Sequence, residues 1–83
     1  MSIMSKKNYI LYGTLGCHLC DDAEQLLVQA QLVLPITWRT VDIALEQNLM
    51  TKYSASIPVL INEEGQSLHW PFSLLDISQL QTK

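Results

Sequence analysis

The sequence predicts an α/β fold in which helices flank a four-stranded mixed β-sheet, in the order β-α-β-α-β-β-α. In the first half, strand patterns enclose a segment of helical periodicity, which is typical of a parallel strand-helix-strand unit. In the second half, turn residues separate two short strand patterns, which predicts an antiparallel hairpin. A chain of 83 residues, 48% of them hydrophobic, builds one core. We therefore expect a single domain over residues 1–83.

The first three elements are predicted between residues 9 and 43. Residues 9–12 form an apolar run, which is typical of a central strand buried on both faces. Apolar side chains then repeat at helical spacing over residues 20–30, so a helix begins at or beside Cys17. Residues 36–43 mix β-branched and polar side chains, as strands near a sheet edge do.

The remaining elements follow in the second half. Leu45, Leu49 and Tyr53 recur every fourth residue, which predicts a weaker helix over residues 44–53. A short strand at 58–61, turn residues at 62–66 and a return strand at 67–70 make the hairpin. Ser73 is expected to cap a last helix, with Asp76 as the acidic partner in a capping box.

Composition excludes several function classes. The net charge of -3, without a basic cluster, argues against a nucleic-acid partner. There is no apolar stretch near the roughly 20 residues that a membrane span needs. The chain has two cysteines, Cys17 and Cys20. A bridge between them would close almost no loop, so it suits redox chemistry better than stabilisation of a secreted domain. We expect a cytoplasmic protein without a membrane or nucleic-acid partner.

Cys17 and Cys20 stand where the first loop enters the first helix. Three residues are nearly one helical turn, so the two side chains lie on one face and can bond to each other. Free amide groups and the helix dipole stabilise a thiolate at Cys17, which makes it the expected nucleophile. Cys20 would then resolve the mixed disulfide. This predicts a thiol-disulfide oxidoreductase; the alternative is two cysteines that pack together by chance.

Ile57-Pro58 precedes a predicted strand and is a second candidate feature. A cis bond here would place the Ile57 backbone beside the cysteines, as an edge for a substrate peptide. The alternative is an ordinary trans proline that begins a strand. His18 either tunes the Cys17 thiolate or is a solvated side chain at the helix start.

These motifs also carry a resemblance over nearly the whole chain. Gly16-Cys17-His18-Leu19-Cys20-Asp21, Ile57-Pro58-Val59-Leu60, Gly65, Leu68 and Pro71-Phe72 together resemble a bacterial glutaredoxin-like family, formerly described as a domain of unknown function. The resemblance implies a thioredoxin-like fold of the glutaredoxin type. It also implies that Cys17 and Cys20 are the catalytic pair and that Ile57-Pro58 is the cis-proline position. Gly16, His18, Ile57 and Pro58 are the candidate substrate-binding residues.

Two departures from ordinary glutaredoxins bear on the cofactor and partner. Thr14 stands where a lysine or arginine is common, and Pro71-Phe72 stands where a Gly-Gly pair is usual. The first removes a cation for a glutathione carboxylate, and the second removes a backbone donor. We therefore expect no bound cofactor, and glutathione stays open as a co-substrate. The expected partner of this monomer is a disulfide-containing protein or a small thiol.

Other uses of the same residues stay open. The chain could be a docking module that keeps the fold without redox activity. An iron-sulfur cluster shared between two chains would use Cys17, as in some glutaredoxin relatives. Cys17, His18, Cys20 and His69 contain ligand atoms for zinc, but their spacing falls short of a convincing four-ligand site, so we expect no metal site.

Overall fold

The computed structural model describes residues 6–81. In chain order, its elements are β1 (Lys7–Gly13), α1 (His18–Ala30), β2 (Ile36–Asp42), a short 3-10 helix (Ile43–Leu45), α2 (Gln47–Tyr53), β3 (Val59–Ile61), β4 (Ser67–His69) and α3 (Leu74–Gln81). The predicted fold class and element order are confirmed. Within the described residues, no helix is both long and apolar enough to cross a membrane.

The four strands form one mixed sheet in the order β2-β1-β3-β4. β1 is parallel to β2 and antiparallel to β3, and β3 and β4 form the antiparallel hairpin. The central position of β1 and the edge position of β2 are as predicted. Because β3 runs against β1, with Tyr12 opposite Val59, the beginning of β3 lies beside the end of β1. Two distant parts of the sequence therefore meet at this end of the sheet, where β1 ends and β3 begins.

The core lies between one face of the sheet and the helices α1 and α3. Alternate side chains of β1 point to this face, and the buried residues Tyr9 and Leu11 belong to the same cluster as Leu27 of α1 and Ile77 of α3. Burial of a side chain such as Leu27 contributes about 1.5–3 kcal/mol. The buried residues of α1 are Cys20, Ala23, Leu27 and Ala30, the spacing of one helical face. The second cysteine therefore lies on the face that packs against the sheet.

The region predicted as one helix over residues 44–53 is interrupted. The Asp42 carboxylate accepts a hydrogen bond from the Ala44 N–H at 2.9 Å and caps the 3-10 helix. Glu46 then has an extended backbone, with φ -143° and ψ 123°, so α2 begins only at Gln47. The predicted helix is therefore present as two pieces, which the extended Glu46 separates.

Both strands of the hairpin are one residue shorter than predicted. Pro58 lies outside β3, since it has no N–H for the ladder. β4 ends at His69, and the Trp70 N–H donates to the Pro58 carbonyl at 3.3 Å. Trp70 and Phe72 meet edge to face with ring centroids 5.1 Å apart, and both pack in or against the core.

The predicted capping box at the start of α3 is confirmed. The Ser73 hydroxyl accepts from the Asp76 N–H at 3.2 Å, and the Asp76 carboxylate accepts from the Ser73 N–H at 2.9 Å. Two amide groups that the helix leaves unpaired are thus satisfied reciprocally.

Candidate functional site

Cys17 is the residue that caps α1. Its backbone is extended, with φ -85° and ψ 108°, and its sulfur accepts a hydrogen bond from the Cys20 N–H at 3.1 Å. The two Cα atoms are 5.2 Å apart, and the residues form a disulfide. The sulfur thus takes the place of the oxygen that usually caps a helix, where an unpaired N–H group points at it. When the disulfide is reduced, the same geometry stabilises a thiolate.

The two cysteines differ in accessibility. Cys17 is half-buried, whereas Cys20 is only 7% exposed. An external disulfide can therefore reach the Cys17 sulfur first. This order agrees with a nucleophile at the helix start and a second thiol held behind it.

The loop before Cys17 is a tight turn. The Cys17 N–H donates to the Thr14 carbonyl at 3.3 Å, and Gly16 has φ +79°. Gly16 is the third residue of this turn, the position where a type II turn needs a left-handed backbone and hence favours glycine. Gly16 thus shapes the loop that presents the cysteine, which gives it a structural reason to be glycine.

Gly13, at the end of β1, was not singled out by the sequence pattern. A Cβ atom there would lie 2.9 Å from the Cys20 sulfur and 3.2 Å from the Cys20 Cβ. Glycine is therefore the residue that lets β1 pass this close to the buried sulfur. The signal available in the sequence was a glycine that directly ends a buried strand, four residues before a cysteine.

Pro58, the proline predicted to be cis, lies at the same end of the sheet as the cysteines. The register that pairs Tyr12 with Val59, continued by one residue, sets Pro58 opposite Gly13. The Ile57–Pro58 peptide bond is cis, the isomer that the sequence predicts, and the Trp70–Pro71 bond is also cis. The fold therefore brings Ile57-Pro58 and the cysteine pair together through the end of β1.

The backbone of Ile57 lies at the same end of the sheet as Pro58. Among residues 6–81, neither its N–H nor its C=O makes a hydrogen bond, whereas the Pro58 carbonyl is paired with Trp70. The Ile57 side chain is half-buried, and Pro58 is buried. A short length of backbone thus remains available for pairing beside the cysteines.

The two histidines are placed differently. His18 is the first residue of α1, exposed and next to Cys17 in the chain. His69 is exposed at the end of β4, with β3 between it and β1. Over the described part of the chain, no group of three or more His, Cys, Asp or Glu side chains is arranged to hold a metal ion.

A pocket of about 160 Å³ opens next to Cys20, on the side of β2. We call it the acidic pocket, because Asp21, Glu24 and Asp42 line it and none of its lining residues is basic. The convergence of these carboxylates follows from the strand-helix-strand unit, which sets the end of β2 beside the start of α1.

The opposite face of the sheet carries an aromatic pair and a cation. Tyr12 stacks on Tyr53 of α2, with ring centroids 4.8 Å apart. The Lys52 ammonium lies 5.3 Å from the centroid of the Tyr53 ring. Tyr12 and Gly13 are neighbours on β1 and therefore point to opposite faces of the sheet. Lys52 lies on the face of Tyr12, and the acidic pocket lies on the face of Gly13.

Comparisons with known proteins agree with the geometry. The family model described as the glutaredoxin-like domain (DUF836) matches residues 8–81. The crystal structure of protein XcR50 from X. campestris has 32% identity to this chain and a TM-score of 0.78, and the match covers 90% of this chain and 97% of that one. For the fold alone, the solution structure of Ne2328 from Nitrosomonas europaea matches with a TM-score of 0.84 at 23% identity, over 96% of each chain. No curated protein matches the chain. The chain therefore belongs to the glutaredoxin-like (DUF836) family, which confirms the resemblance seen in its sequence.

Proposed function

We propose that the protein is a thiol-disulfide oxidoreductase with Cys17 as its nucleophile and Cys20 as its resolving thiol. The observation that carries this proposal is the hydrogen bond from the Cys20 N–H to the Cys17 sulfur at 3.1 Å, at the start of a helix. An amide donor and the positive end of the helix dipole both favour the charged form of that sulfur. The thiolate is the form that attacks a disulfide.

The reaction takes place in two exchange steps. The Cys17 thiolate bonds to one sulfur of a substrate disulfide, and the other sulfur leaves as a thiolate with the electrons of the broken bond and is protonated by solvent. Cys20 then loses its proton and bonds to the Cys17 sulfur, which releases the second substrate thiol. The substrate gains a pair of electrons and the protein is left with the Cys17–Cys20 disulfide. An external thiol reductant returns the electrons.

Backbone pairing at Ile57 orients the substrate in this proposal. Its N–H and C=O make no hydrogen bond among residues 6–81, so an extended substrate segment can pair with them as with a sheet edge. Pro58 holds this backbone opposite Gly13, and Gly16 and His18 flank Cys17 as further candidate contacts. The pairing is independent of the substrate's side chains, so it suits a protein disulfide.

Glutathione fits this site poorly as a co-substrate. It presents two carboxylates, whereas Thr14 is neutral, Pro71 has no N–H, and the acidic pocket lies beside the pair. We propose that the protein works without a bound cofactor, as a monomer in the cytoplasm, on a disulfide-containing protein or a small thiol other than glutathione.

Thiol titration with a chromogenic aromatic disulfide at neutral pH tests the proposal. The reduced protein should show one fast thiol. Cys17→Ser should lose the fast phase, whereas its matched control Cys20→Ser should keep it and stop at a stable mixed disulfide. If both thiols react no faster than a free cysteine, the protein is a docking module and the oxidoreductase proposal is wrong.

A further inference from the structure

We propose that the acidic pocket selects, among disulfide substrates, polypeptide segments that carry a lysine or arginine beside the disulfide. This inference rests on the proposed function, because it concerns the substrate of the same cysteine pair. It adds a substrate class and assigns specificity to Glu24 and Asp42, neither of which takes part in the exchange steps.

The pocket adjoins the second cysteine of the pair. Cys20 and Gly13 form part of its lining, and Leu15 lines it from the loop that leads to Cys17. Because Cys17 is bonded to Cys20, a segment joined to Cys17 by a mixed disulfide would lie near this cavity. Its volume of about 160 Å³ gives room for part of a long side chain rather than for a whole folded element.

The charges around the pocket are of one sign. Asp21 and Glu24 lie about one turn apart on the exposed side of α1, and Asp42 ends β2. An ammonium or guanidinium group entering between them gains charge-assisted hydrogen bonds, whereas a carboxylate is repelled. The pocket thus discriminates between substrates by the sign of a neighbouring charge.

The protein's own described cations lie elsewhere. Lys7 begins β1, directly after Lys6, and Gly13 ends it, a separation of about 20 Å for this length of strand. That exceeds the Debye length of about 8 Å at physiological ionic strength. Arg39 is exposed and follows Trp38, which packs against the core, so Arg39 points to the opposite face of the sheet, and Lys52 lies beside Tyr53 of α2 on that face. The carboxylates are therefore left for an external cation.

Exposed apolar side chains favour a polypeptide over a small thiol. Leu15 is 90% exposed and Leu19 is 49% exposed, one on each side of Cys17 in the chain. Side chains that flank a substrate cysteine can cover these leucines, whereas a small thiol leaves them in water. The partner that fits is an extended protein segment with apolar and basic residues around its disulfide.

A matched pair of peptides tests the selection. Each carries one cysteine disulfide-bonded to thionitrobenzoate, and they differ only in a lysine or a glutamate next to that cysteine. The pair is made twice, with the varied residue before or after the cysteine, and the larger of the two rate ratios is compared. Cys17 bonds to the peptide sulfur and thionitrobenzoate leaves as a coloured thiolate, so stopped-flow absorbance gives both rates. We expect the lysine peptide to react about tenfold faster at low ionic strength, with the ratio approaching one at high salt.

Variants locate the source of the ratio. Glu24→Gln and Asp42→Asn should each lower it several-fold, and asparagine keeps the oxygen that caps Ala44. The matched control is Glu64→Gln, which removes the same charge from an exposed residue in the turn between β3 and β4. Changes in Cys17 nucleophilicity cancel in the ratio.

The outcomes separate this inference from the proposed function. A ratio near one in the unmodified protein, or an equal decrease in all three variants, would overturn the selection by the pocket and leave the oxidoreductase intact. If neither peptide releases thionitrobenzoate faster than a free thiol does, the proposed function is wrong and the inference is lost with it.

Discussion

Replacing Gly13 with alanine tests how closely β1 passes the cysteine pair. The added Cβ would lie 2.9 Å from the Cys20 sulfur and 3.2 Å from its Cβ, inside the roughly 3.5–4.0 Å at which carbon atoms attract. Cys20 is buried against the sheet in the first turn of α1, so it cannot move aside freely. Overpacking of this kind costs about 1–3 kcal/mol.

A double-mutant cycle under reducing conditions measures the contact. For a domain of this size, each kcal/mol lowers the melting temperature by about 4–8 °C. Cys20→Ala removes the sulfur, so the cost of Gly13→Ala should be at least about 0.5 kcal/mol smaller in that background. As a control, Gly16→Ala should cost about 1–2 kcal/mol, because φ is +79° there, with no coupling to Cys20→Ala.

Two results would refute this reasoning. One is a cost of Gly13→Ala below about 0.5 kcal/mol, within the range of ordinary surface substitutions. The other is an equal cost with and without the Cys20 sulfur. Either would mean that β1 does not run against the pair, and the placement of Pro58 beside the cysteines through Gly13 would lose its support.

Three further predictions concern other parts of the fold. Ser73→Ala should lower the free energy of unfolding by about 1 kcal/mol, because the bond to the Asp76 N–H is lost, and Ser73→Thr should retain it in the same denaturant titration. Tyr9→Phe should stabilise the protein by up to about 1 kcal/mol, since the buried Tyr9 hydroxyl has no hydrogen-bond partner among the described residues; a clear loss of stability would reveal one. Burial, followed by the charge of Glu63, raises the pKa of Tyr9 above its usual 10.0, so Tyr9 ionises in the unfolded chain before it does in the folded protein. The free energy of unfolding should therefore fall as the pH rises past 10. Tyr9→Phe should remove the part of this fall that is due to Tyr9. The unmodified protein should reduce a small glutathione mixed disulfide more slowly than an ordinary glutaredoxin does, and Thr14→Lys should raise that rate. Equal rates for Thr14→Lys and the unmodified protein would contradict the effect assigned to Thr14.

The fold was predictable where local pattern and tertiary packing agree. The start of α1 at Cys17 and the Ser73 cap depend on side chains that satisfy nearby amide groups, so sequence alone identifies them. The helix predicted over 44–53 is confirmed only from Gln47 onward, because its apolar repeat does not report burial. Leu45 is 84% exposed, and the extended backbone of Glu46 separates the 3-10 helix from α2.

The candidate site was only partly predictable, for a geometric reason. The cysteine pair and Ile57-Pro58 belong to recognisable local motifs. By contrast, Gly13 matters through a contact with Cys20, and Asp42 matters because β2 ends beside α1. Such relations depend on register and on which face a residue occupies, and periodicity does not contain them.

The central position of β1 also sets the direction in which a substrate would lie. At its end, β1 has the start of β3 on one side and the end of β2 on the other. Backbone pairing at Ile57 is therefore on one flank of the cysteine pair, and the acidic pocket with Asp42 is on the opposite flank. A segment that pairs with Ile57 and places its disulfide at Cys17 must continue across the pair to bring a basic side chain to the carboxylates. We therefore expect the preference for lysine to depend on which side of the substrate cysteine it occupies, because only one direction from the disulfide leads to the pocket.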